Sequence, residues 1–202
     1  MEVAEGVHRI ETPLGERVNC VYLFAGTRAA LLFDTAIAPA VTAHVVPYLH
    51  RTGVEPARIR YVVNSHCDWD HHGGNGAVRD LAPAAALCCH ELDRPLIEDA
   101  DLLFARRYDE LAADGITEPA QTRSFVAANT RQLPMDIGLA GGERFCLGSG
   151  WRRPAAHPWT LPRPREHLRS AQPLGGSRGR RARERRTAGR RPSGIPADLP
   201  VP

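Results

Sequence analysis

The sequence predicts an α/β layered domain over residues 1–150, followed by a tail over residues 151–202 without packed elements. Two observations lead to this prediction. Short runs of β-branched and aromatic residues alternate with stretches in which apolar residues recur at helical spacing, which is typical of layered α/β proteins. After Gly150 the apolar periodicity disappears, and Arg, Pro and Gly dominate a composition that does not bury a core.

Six short runs have the composition of strands. They are VHRIETP, NCVYLF, AALLFDTA, RYVVNSH, AAALCCH and GGERFCLG. Gly26 and Thr27 separate the second run from the third, which predicts a hairpin. Three stretches are predicted to be helical, namely residues 39–53, 75–81 and 92–113. Pro47 lies inside the first of them, and because proline lacks a backbone donor it must kink or shorten that helix.

The charge is divided sharply along the chain. Residues 1–150 carry 13 arginines against 20 acidic residues, residues 151–202 carry 13 arginines against 3, and lysine is absent throughout. Such asymmetry is typical of a nucleic-acid-binding tail, so a nucleic-acid-binding protein is the alternative function. The tail lacks lysine and interleaved aromatic residues, which disfavours that alternative.

Cysteine content and hydropathy bear on the cellular compartment. The five cysteines are an odd number without the spacing of a disulfide framework, which favours free thiols in a reducing compartment. The N-terminus lacks a basic region followed by an apolar one, and no run of about 18 apolar residues occurs. We therefore expect a cytoplasmic protein without a membrane anchor.

The stretch NSHCDWDHHGGN, residues 64–75, concentrates side chains that bind metals. His66 ends a predicted strand, where alternate side chains share one face, so His66 and Asp68 can converge on one ion. Asp70 and His71 lie at the turn into the following helix and can approach a second position. Imidazole and carboxylate suit Zn²⁺, with Fe and Mn as alternatives. A polar, solvated loop whose Asp and Asn residues only form turns is the competing interpretation.

The residues next to these ligands are weaker candidates. His72 matches no ligand position, so we expect it to face solvent or to support the ligands. Cys67 lies between two ligands, but strand alternation points it away from the ion. Cys88 and Cys89 are expected to be small buried apolar residues rather than a redox pair.

The stretch 64–75 resembles the first metal motif of the metallo-β-lactamase-fold hydrolases, H-x-H-x-D-H. His66, Asp70 and His71 match the first His, the Asp and the last His of that motif. Asp68 stands at the second His position, where an anion replaces a neutral ligand, so a one-metal enzyme becomes possible. The resemblance covers about residues 5–150 and implies the αβ/βα sandwich of this family.

The resemblance also implies roles for individual residues. His66, Asp68, Asp70 and His71 would hold one or two zinc ions, and Asp70 would act in catalysis by orienting the attacking water. By position, Asp34 in LLFDTA would be the carboxylate that supports the metal loop, with a turn or helix cap as its alternative. The family hydrolyses lactones, thioesters, β-lactams and phosphodiesters, so a small-molecule substrate is implied without its class being chosen.

The second half of the family's metal site is missing from the sequence as it reads. The family needs a Gly-His turn, usually T-P-G-H, then a bridging Asp and a late His, and residues 76–202 contain none of these turns. HPWTLPR, residues 157–163, permits Thr-Pro-Gly-His-Ser-Pro-Gly when its codons are read one base later. A one-base slip near Trp151 would explain both the missing turn and the composition of the tail. The predicted sandwich therefore has an incomplete second half.

Overall fold

The computed structural model describes residues 1–148, so the predicted tail over residues 151–202 lies outside the described residues. The strands of the described part are β1 (Glu2–Ala4), β2 (Val7–Leu14), β3 (Arg17–Ala25), β4 (Ala30–Phe33), β5 (Ile59–Val63), β6 (Ala86–His90) and β7 (Ile137–Leu139). Its helices are α1 (Ala38–Ala40), α2 (Val46–Thr52), α3 (Trp69–His72), α4 (Asn75–Leu81), α5 (Arg94–Glu98), α6 (Ala100–Leu103) and α7 (Ala120–Asn129). Within residues 1–148, no helix combines the length and apolar content that crossing a bilayer requires.

The strands form one sheet in chain order from β1 to β7. β1 to β4 are antiparallel neighbours, whereas β4 to β7 are parallel neighbours. The hairpin predicted at Gly26 and Thr27 is confirmed, because β3 and β4 pair antiparallel on either side of them. The parallel arrangement brings the carboxyl ends of β4, β5 and β6 to one edge of the sheet, where open α/β sheets bind their ligands.

The central strands of the sheet are buried on both faces. Successive residues alternate between two apolar clusters, because side chains alternate along a strand. The cluster shared with the helices includes Leu23, Leu32, Val62 and Leu87. The cluster on the opposite face includes Phe24, Leu31, Val63 and Cys88. This double burial explains the continuous apolar runs in the sequence, which are typical of strands covered on both sides.

The predicted helix over residues 39–53 is present but irregular. It begins with α1, continues as a π-helical turn over Val41–Val45 and ends with α2. Gly53 stops it with a left-handed backbone, φ 66°, as glycine commonly does at this position. Pro47 lies in the first turn of α2, directly after the π-helical turn, where a missing backbone donor costs little. The distortion expected at Pro47 is therefore confirmed.

The prediction of one helix over residues 92–113 is wrong. The chain instead forms α5 and α6, followed by a π-helical turn over Phe104–Tyr108 and a 3-10 turn over Ala112–Asp114. The break between α5 and α6 falls at Asp99, whose backbone is extended. The Asp99 carboxylate caps α6 by accepting a hydrogen bond from Leu102 N at 2.9 Å, so a polar side chain starts a new helix there.

The strand predicted in GGERFCLG is also wrong. The structure places no strand over residues 141–148, and the Leu147 carbonyl accepts hydrogen bonds from the backbone N–H groups of Arg28 and Ala29 at 3.0 and 3.1 Å. The last described strand is β7, which the sequence did not predict. Its three residues are too few to produce a recognisable period of two.

Candidate metal centre

The predicted ligands meet at the carboxyl edge of the parallel strands. β4 leads directly into Asp34, and β5 leads into the loop that carries His66 and Asp68. α3 follows that loop and carries Asp70 and His71. The rings of His66 and His71 lie 4.1 Å apart between centroids. The topology thus gathers the side chains from a short stretch of sequence over one edge of the sheet.

Asp34 connects the two segments that carry the histidines. Its buried carboxylate accepts hydrogen bonds from Ser65 N at 2.7 Å, Ser65 Oγ at 2.8 Å and His71 Nδ1 at 2.9 Å. The backbone of Asp34 is left-handed, φ 64°, a conformation that Asp adopts more readily than most residues. No helix begins at Asp34, and its carboxylate lies against the loop that follows β5.

These hydrogen bonds engage the Nδ1 atom of both histidine rings. His71 Nδ1 donates to Asp34, so the lone pair of the neutral form of that ring is on Nε2. Ser65 Oγ donates its single hydrogen to Asp34 and therefore accepts from His66 Nδ1, 2.8 Å away. His66 Nε2, the other nitrogen of that ring, faces Asp68 Oδ2 and can donate to it while it carries a proton. Each ring thus directs its Nε2 atom towards a carboxylate, and a metal ion would bind that nitrogen in its unprotonated form.

His71 and Asp70 form the first pair of donors, with His71 Nε2 lying 4.0 Å from Asp70 Oδ2. Burial alone would lower the pKa of His71, but the hydrogen bond to Asp34 and the charges of Asp34 and Asp70 raise that pKa above its ordinary value. Asn19 of β3 fixes Asp70 by donating to its Oδ2 at 2.9 Å and its backbone oxygen at 3.0 Å. Sequence reasoning missed Asn19, whose one signal is an amide side chain in an otherwise apolar run.

A buried polar network supports the backbone of His71. Thr35 Oγ1 donates to Asn75 Oδ1 at 3.0 Å, and Asn75 Nδ2 donates to Asn64 Oδ1 at 2.8 Å. The His71 carbonyl accepts a hydrogen bond from Thr35 N at 2.9 Å. Thr35, Asn64 and Asn75 are at most 3% exposed, so their side chains depend on one another and on the His71 carbonyl for hydrogen bonds. The position of His71 is therefore set from the interior of the protein.

Gly74 allows the start of α4 to approach the loop after β4. Its N–H donates to Ala36 O at 2.9 Å. A Cβ atom at position 74 would lie 2.3 Å from Thr35 O and 2.7 Å from Val41 Cγ2, distances at which atoms overlap. Only glycine permits this approach, so Gly74 sets the spacing between the two loops that carry Asp34 and His71.

His66 and Asp68 form the second pair of donors, with His66 Nε2 lying 3.3 Å from Asp68 Oδ2. Arg107 binds both oxygens of Asp68, with Nε donating to Oδ1 at 2.9 Å and Nη2 donating to Oδ2 at 3.1 Å. Tyr108 Oη accepts from Trp69 N at 3.2 Å and donates to Asp68 Oδ1 at 3.4 Å. Burial alone would raise the pKa of Asp68, but hydrogen bonds from His66 and Arg107 lower that pKa to about 2.

The donor chemistry of both pairs fits a divalent cation, but neither pair is a complete site. In its unprotonated form, an imidazole nitrogen that faces a carboxylate oxygen forms with it a pair of acceptors that a cation can bridge. Two ligands of one zinc ion lie at most about 4.2 Å apart, because each lies about 2.1 Å from the metal, and both pairs meet this limit. Within residues 1–148, no three His, Cys, Asp or Glu side chains are grouped to hold one ion. Further ligands would have to come from outside this part of the chain.

The residues next to the predicted ligands pack into the interior. His72 is 4% exposed, which excludes the first of its two predicted alternatives, that it faces solvent, and burial lowers its pKa to about 4. Cys67 lies in the apolar cluster beneath the helices, where burial, followed by the charge of Asp93, raises the pKa of its thiol to about 12. Cys88 and Cys89 are also fully buried, as the sequence predicts.

Comparison with known protein families identifies the family of the chain. The family model of the metallo-beta-lactamase superfamily matches residues 14–159, which include all of the site residues described above. The chain belongs to the metallo-beta-lactamase superfamily. The α/β fold class predicted from the sequence is confirmed, with the seven-stranded sheet as its described part.

This chain spans only part of the length of each individual relative. An N-acyl homoserine lactonase from Bacillus thuringiensis is 38% identical over 80 residues, which are 38% of this chain and 30% of the lactonase. Among solved structures, a metallo-beta-lactamase from Cronobacter sakazakii gives a TM-score of 0.55 at 17% identity, over 73% of this chain and 50% of that chain. A metallo-beta-lactamase family protein from Thermus thermophilus gives 0.56 at 18% identity, over 70% and 48%. These structures share the fold, and the chain spans about half of their length.

The comparisons lend no support to the alternative of a nucleic-acid-binding protein. The two structures carry the name of the metallo-beta-lactamase family, and the curated relative is named as a lactonase. The arginine-rich segment on which that alternative depends, residues 151–202, lies outside the described residues.

Proposed function

We propose that the protein is a metal-dependent hydrolase that acts on lactones or related esters. The observation that carries the proposal is the orientation of two histidines, which Asp34 and Ser65 hold with their Nε2 atoms facing Asp70 and Asp68. The lactone class is supported by the N-acyl homoserine lactonases, whose 38% identity extends over 80 residues. A small molecule is therefore the expected substrate.

Zinc is the metal that we propose, as one or two ions, with Fe and Mn sharing the same ligand chemistry. His66, Asp68, Asp70 and His71 would hold it. A divalent ion in such a site supplies Lewis-acid chemistry, which activates water near neutral pH and polarises the bond under attack. Asp70 has a second task, because its carboxylate, fixed by Asn19, can accept a hydrogen bond from the attacking water and so orient it.

The missing ligands are explained by a one-base slip in the coding sequence near Trp151. The support for this proposal is that the next reading frame of residues 157–163 permits a Thr-Pro-Gly-His turn, which could supply a further imidazole. Residues 1–150 would then be the first half of the family domain, and residues 151–202 would be unrelated to it. We also propose a reducing, cytoplasmic compartment, because all five cysteines are free.

The proposal is tested by comparing the full chain with a version whose reading frame is restored after residue 150. Metal analysis measures zinc per chain, and proton release measures hydrolysis of an N-acyl homoserine lactone. We expect about one or two zinc ions per restored chain together with hydrolysis, and weak zinc binding by the present chain. A restored chain without zinc or hydrolysis contradicts the proposed function, whereas stoichiometric zinc in the present chain contradicts the slip.

A matched pair of variants locates the catalytic role of Asp70. In the restored chain, Asp70→Asn keeps the hydrogen bond to Asn19 within reach but removes the charge that binds the ion and orients water. We expect hydrolysis to fall by about 100-fold or more, in the range of lost general acid–base or metal-ligand functions. Asp114→Asn, in an exposed 3-10 turn, is the control and should retain the rate.

A further inference from the structure

We propose that Arg107 is a positioning residue that neutralises Asp68 and weakens the affinity of the His66–Asp68 pair for a divalent cation. The His71–Asp70 pair is then the half-site that binds an ion more tightly. This inference rests on the proposed function only in requiring that the two pairs bind a divalent ion. It assigns Arg107 a role that no part of the motif H-x-H-x-D-H predicts.

The first step in the argument is the charge at position 68. The motif has a neutral imidazole there, whereas this chain has a carboxylate, which adds one negative charge beside His66. Arg107 returns one positive charge to the same place, because its guanidinium contacts both carboxylate oxygens at 2.9 and 3.1 Å. Asp68 and Arg107 together therefore carry no net charge, as a neutral imidazole does.

The second step is the geometry of that contact. A planar guanidinium that donates two parallel hydrogen bonds holds a carboxylate in one orientation. Asp68 Oδ2, the oxygen that faces His66 Nε2 at 3.3 Å, is one of the two atoms engaged. A divalent cation bound between His66 and Asp68 would lie close to the positive charge of Arg107, and the two would repel each other.

The third step is the contrast with the other pair. Asp70 Oδ2 accepts a hydrogen bond from Asn19, which is neutral, and no arginine is paired with Asp70 within residues 1–148. The carboxylate of Asp70 thus keeps its full charge for a cation, whereas that of Asp68 shares its charge with Arg107. Two pairs with similar ligands therefore differ in the charge of their nearest protein partner.

The structure offers a matched control for Arg107. Arg106 is the preceding residue on the same π-helical turn, is exposed, and has the same side chain. The side chain of Arg107 is 48% exposed, so its replacement by glutamine removes the charge without opening a cavity in the core. Glutamine also retains a donor that can reach Asp68, which separates the effect of charge from that of lost hydrogen bonding.

The test is a zinc titration of the full chain in competition with a chromophoric chelator. We expect Arg107→Gln to raise zinc affinity at least tenfold, and Arg106→Gln to leave it within twofold of the parent. Adding His66→Ala to Arg107→Gln should abolish the gain, because the gained ion lies on the His66 side. Circular dichroism and thermal unfolding verify that each variant is folded, and Arg107→Lys, which keeps the charge, should bind zinc like the parent.

The outcomes separate this inference from the proposed function. Measurable zinc binding that Arg107→Gln leaves unchanged or weakens, or that Arg106→Gln strengthens equally, overturns the inference and leaves the proposed metal site standing. A gain that survives His66→Ala also overturns it, because the ion would then lie elsewhere. Absence of zinc binding in every variant, and in the restored chain, overturns the proposed function itself.

Discussion

The two donor pairs of the site are held in different ways. His71 is fixed from below by Asp34, which is buried, and by a network of side chains that are at most 3% exposed. Asp68 is fixed from above by Arg107, whose side chain is 48% exposed, on a turn outside the sheet. The fold therefore supplies one pair with an interior anchor and the other with a surface anchor. Damage to the first should cost stability, whereas damage to the second should mainly alter cation binding.

The largest expected effect comes from removing the interior anchor. Asp34→Ala leaves Ser65 N, Ser65 Oγ and His71 Nδ1 without their acceptor and places Ala in a left-handed backbone. We expect the free energy of unfolding in urea to fall by about 3–5 kcal/mol. The control Asp114→Ala, in an exposed turn, should change it by about 0.5 kcal/mol or less. Equal effects of the two variants would remove the distinction between the pairs.

The next effect comes from the network beneath His71. Asn75→Ala removes the donor to Asn64 Oδ1 and the nearer acceptor of Thr35 Oγ1, which is left with the His71 carbonyl at 3.3 Å. Thr35, Asn64 and Asn75 are all buried. The free energy of unfolding should fall by about 2–3 kcal/mol, since buried polar groups lose their partners. Asn129→Ala, whose amide bonds only Phe125 O within α7, is the matched control and should cost about 1 kcal/mol at most. A smaller loss in Asn75→Ala than in Asn129→Ala would contradict the interior anchor.

The surface anchor should contribute a smaller, pH-dependent stability. The pKa of Asp68 in the folded protein, about 2, lies below the ordinary value of 3.8, so its ion pair stabilises the fold above about pH 4. We expect the free energy of unfolding of the parent to exceed that of Arg107→Gln by about 1 kcal/mol at neutral pH, because a partly exposed ion pair contributes little more than this. Urea unfolding from pH 6 down to pH 2 should show this difference shrinking as Asp68 is protonated. A difference that grows towards low pH would have the wrong sign.

The smallest effect concerns Cys67, the cysteine between His66 and Asp68 in the sequence. The thiol of Cys67 is buried and its pKa is raised to about 12, whereas Cys146 is exposed. In native protein at about pH 8, a disulfide reagent should label Cys146 quickly and spare Cys67, since only the thiolate reacts. Peptide mapping by mass spectrometry identifies the labelled residue, and Cys146→Ser should remove the fast phase. Rapid labelling of Cys67 would mean that the ligand loop opens to solvent.

Much of the fold could be predicted because its signals are local. The apolar run before Asn64 and the helix Asn75–Leu81 after Gly74 follow from composition and spacing over a few residues. The helix over residues 92–113 could not be predicted as broken, because its apolar spacing continues past Asp99. Only the three-dimensional structure shows that the Asp99 carboxylate caps a new helix at that point. Local pattern thus located the elements but not every break within them.

The residues of the site also divide into those that the local sequence identifies and those that it does not. His66, Asp68, Asp70 and His71 could be proposed as ligands from adjacent positions in one short stretch. Their partners could not, because these contacts span long separations in sequence. Asn19 lies 51 residues from Asp70, and Arg107 lies 39 residues from Asp68. The amide of Asn19 is unusual in a strand, but neither it nor Arg107 shows from the local sequence which residue it will contact.

The close approach at Gly74 has a consequence for anyone who searches this protein by random mutagenesis. A screen for variants that no longer bind the metal should find substitutions of Gly74 as readily as substitutions of the histidines themselves. Gly74 contacts no ion in the proposed site, yet any side chain there would wedge its loop away from Thr35 and draw His71 off Asp34. Such a variant would fail because the two loops are too far apart. A smaller side chain at Val41 would not restore it, because the atom nearest to the added Cβ is the backbone oxygen of Thr35.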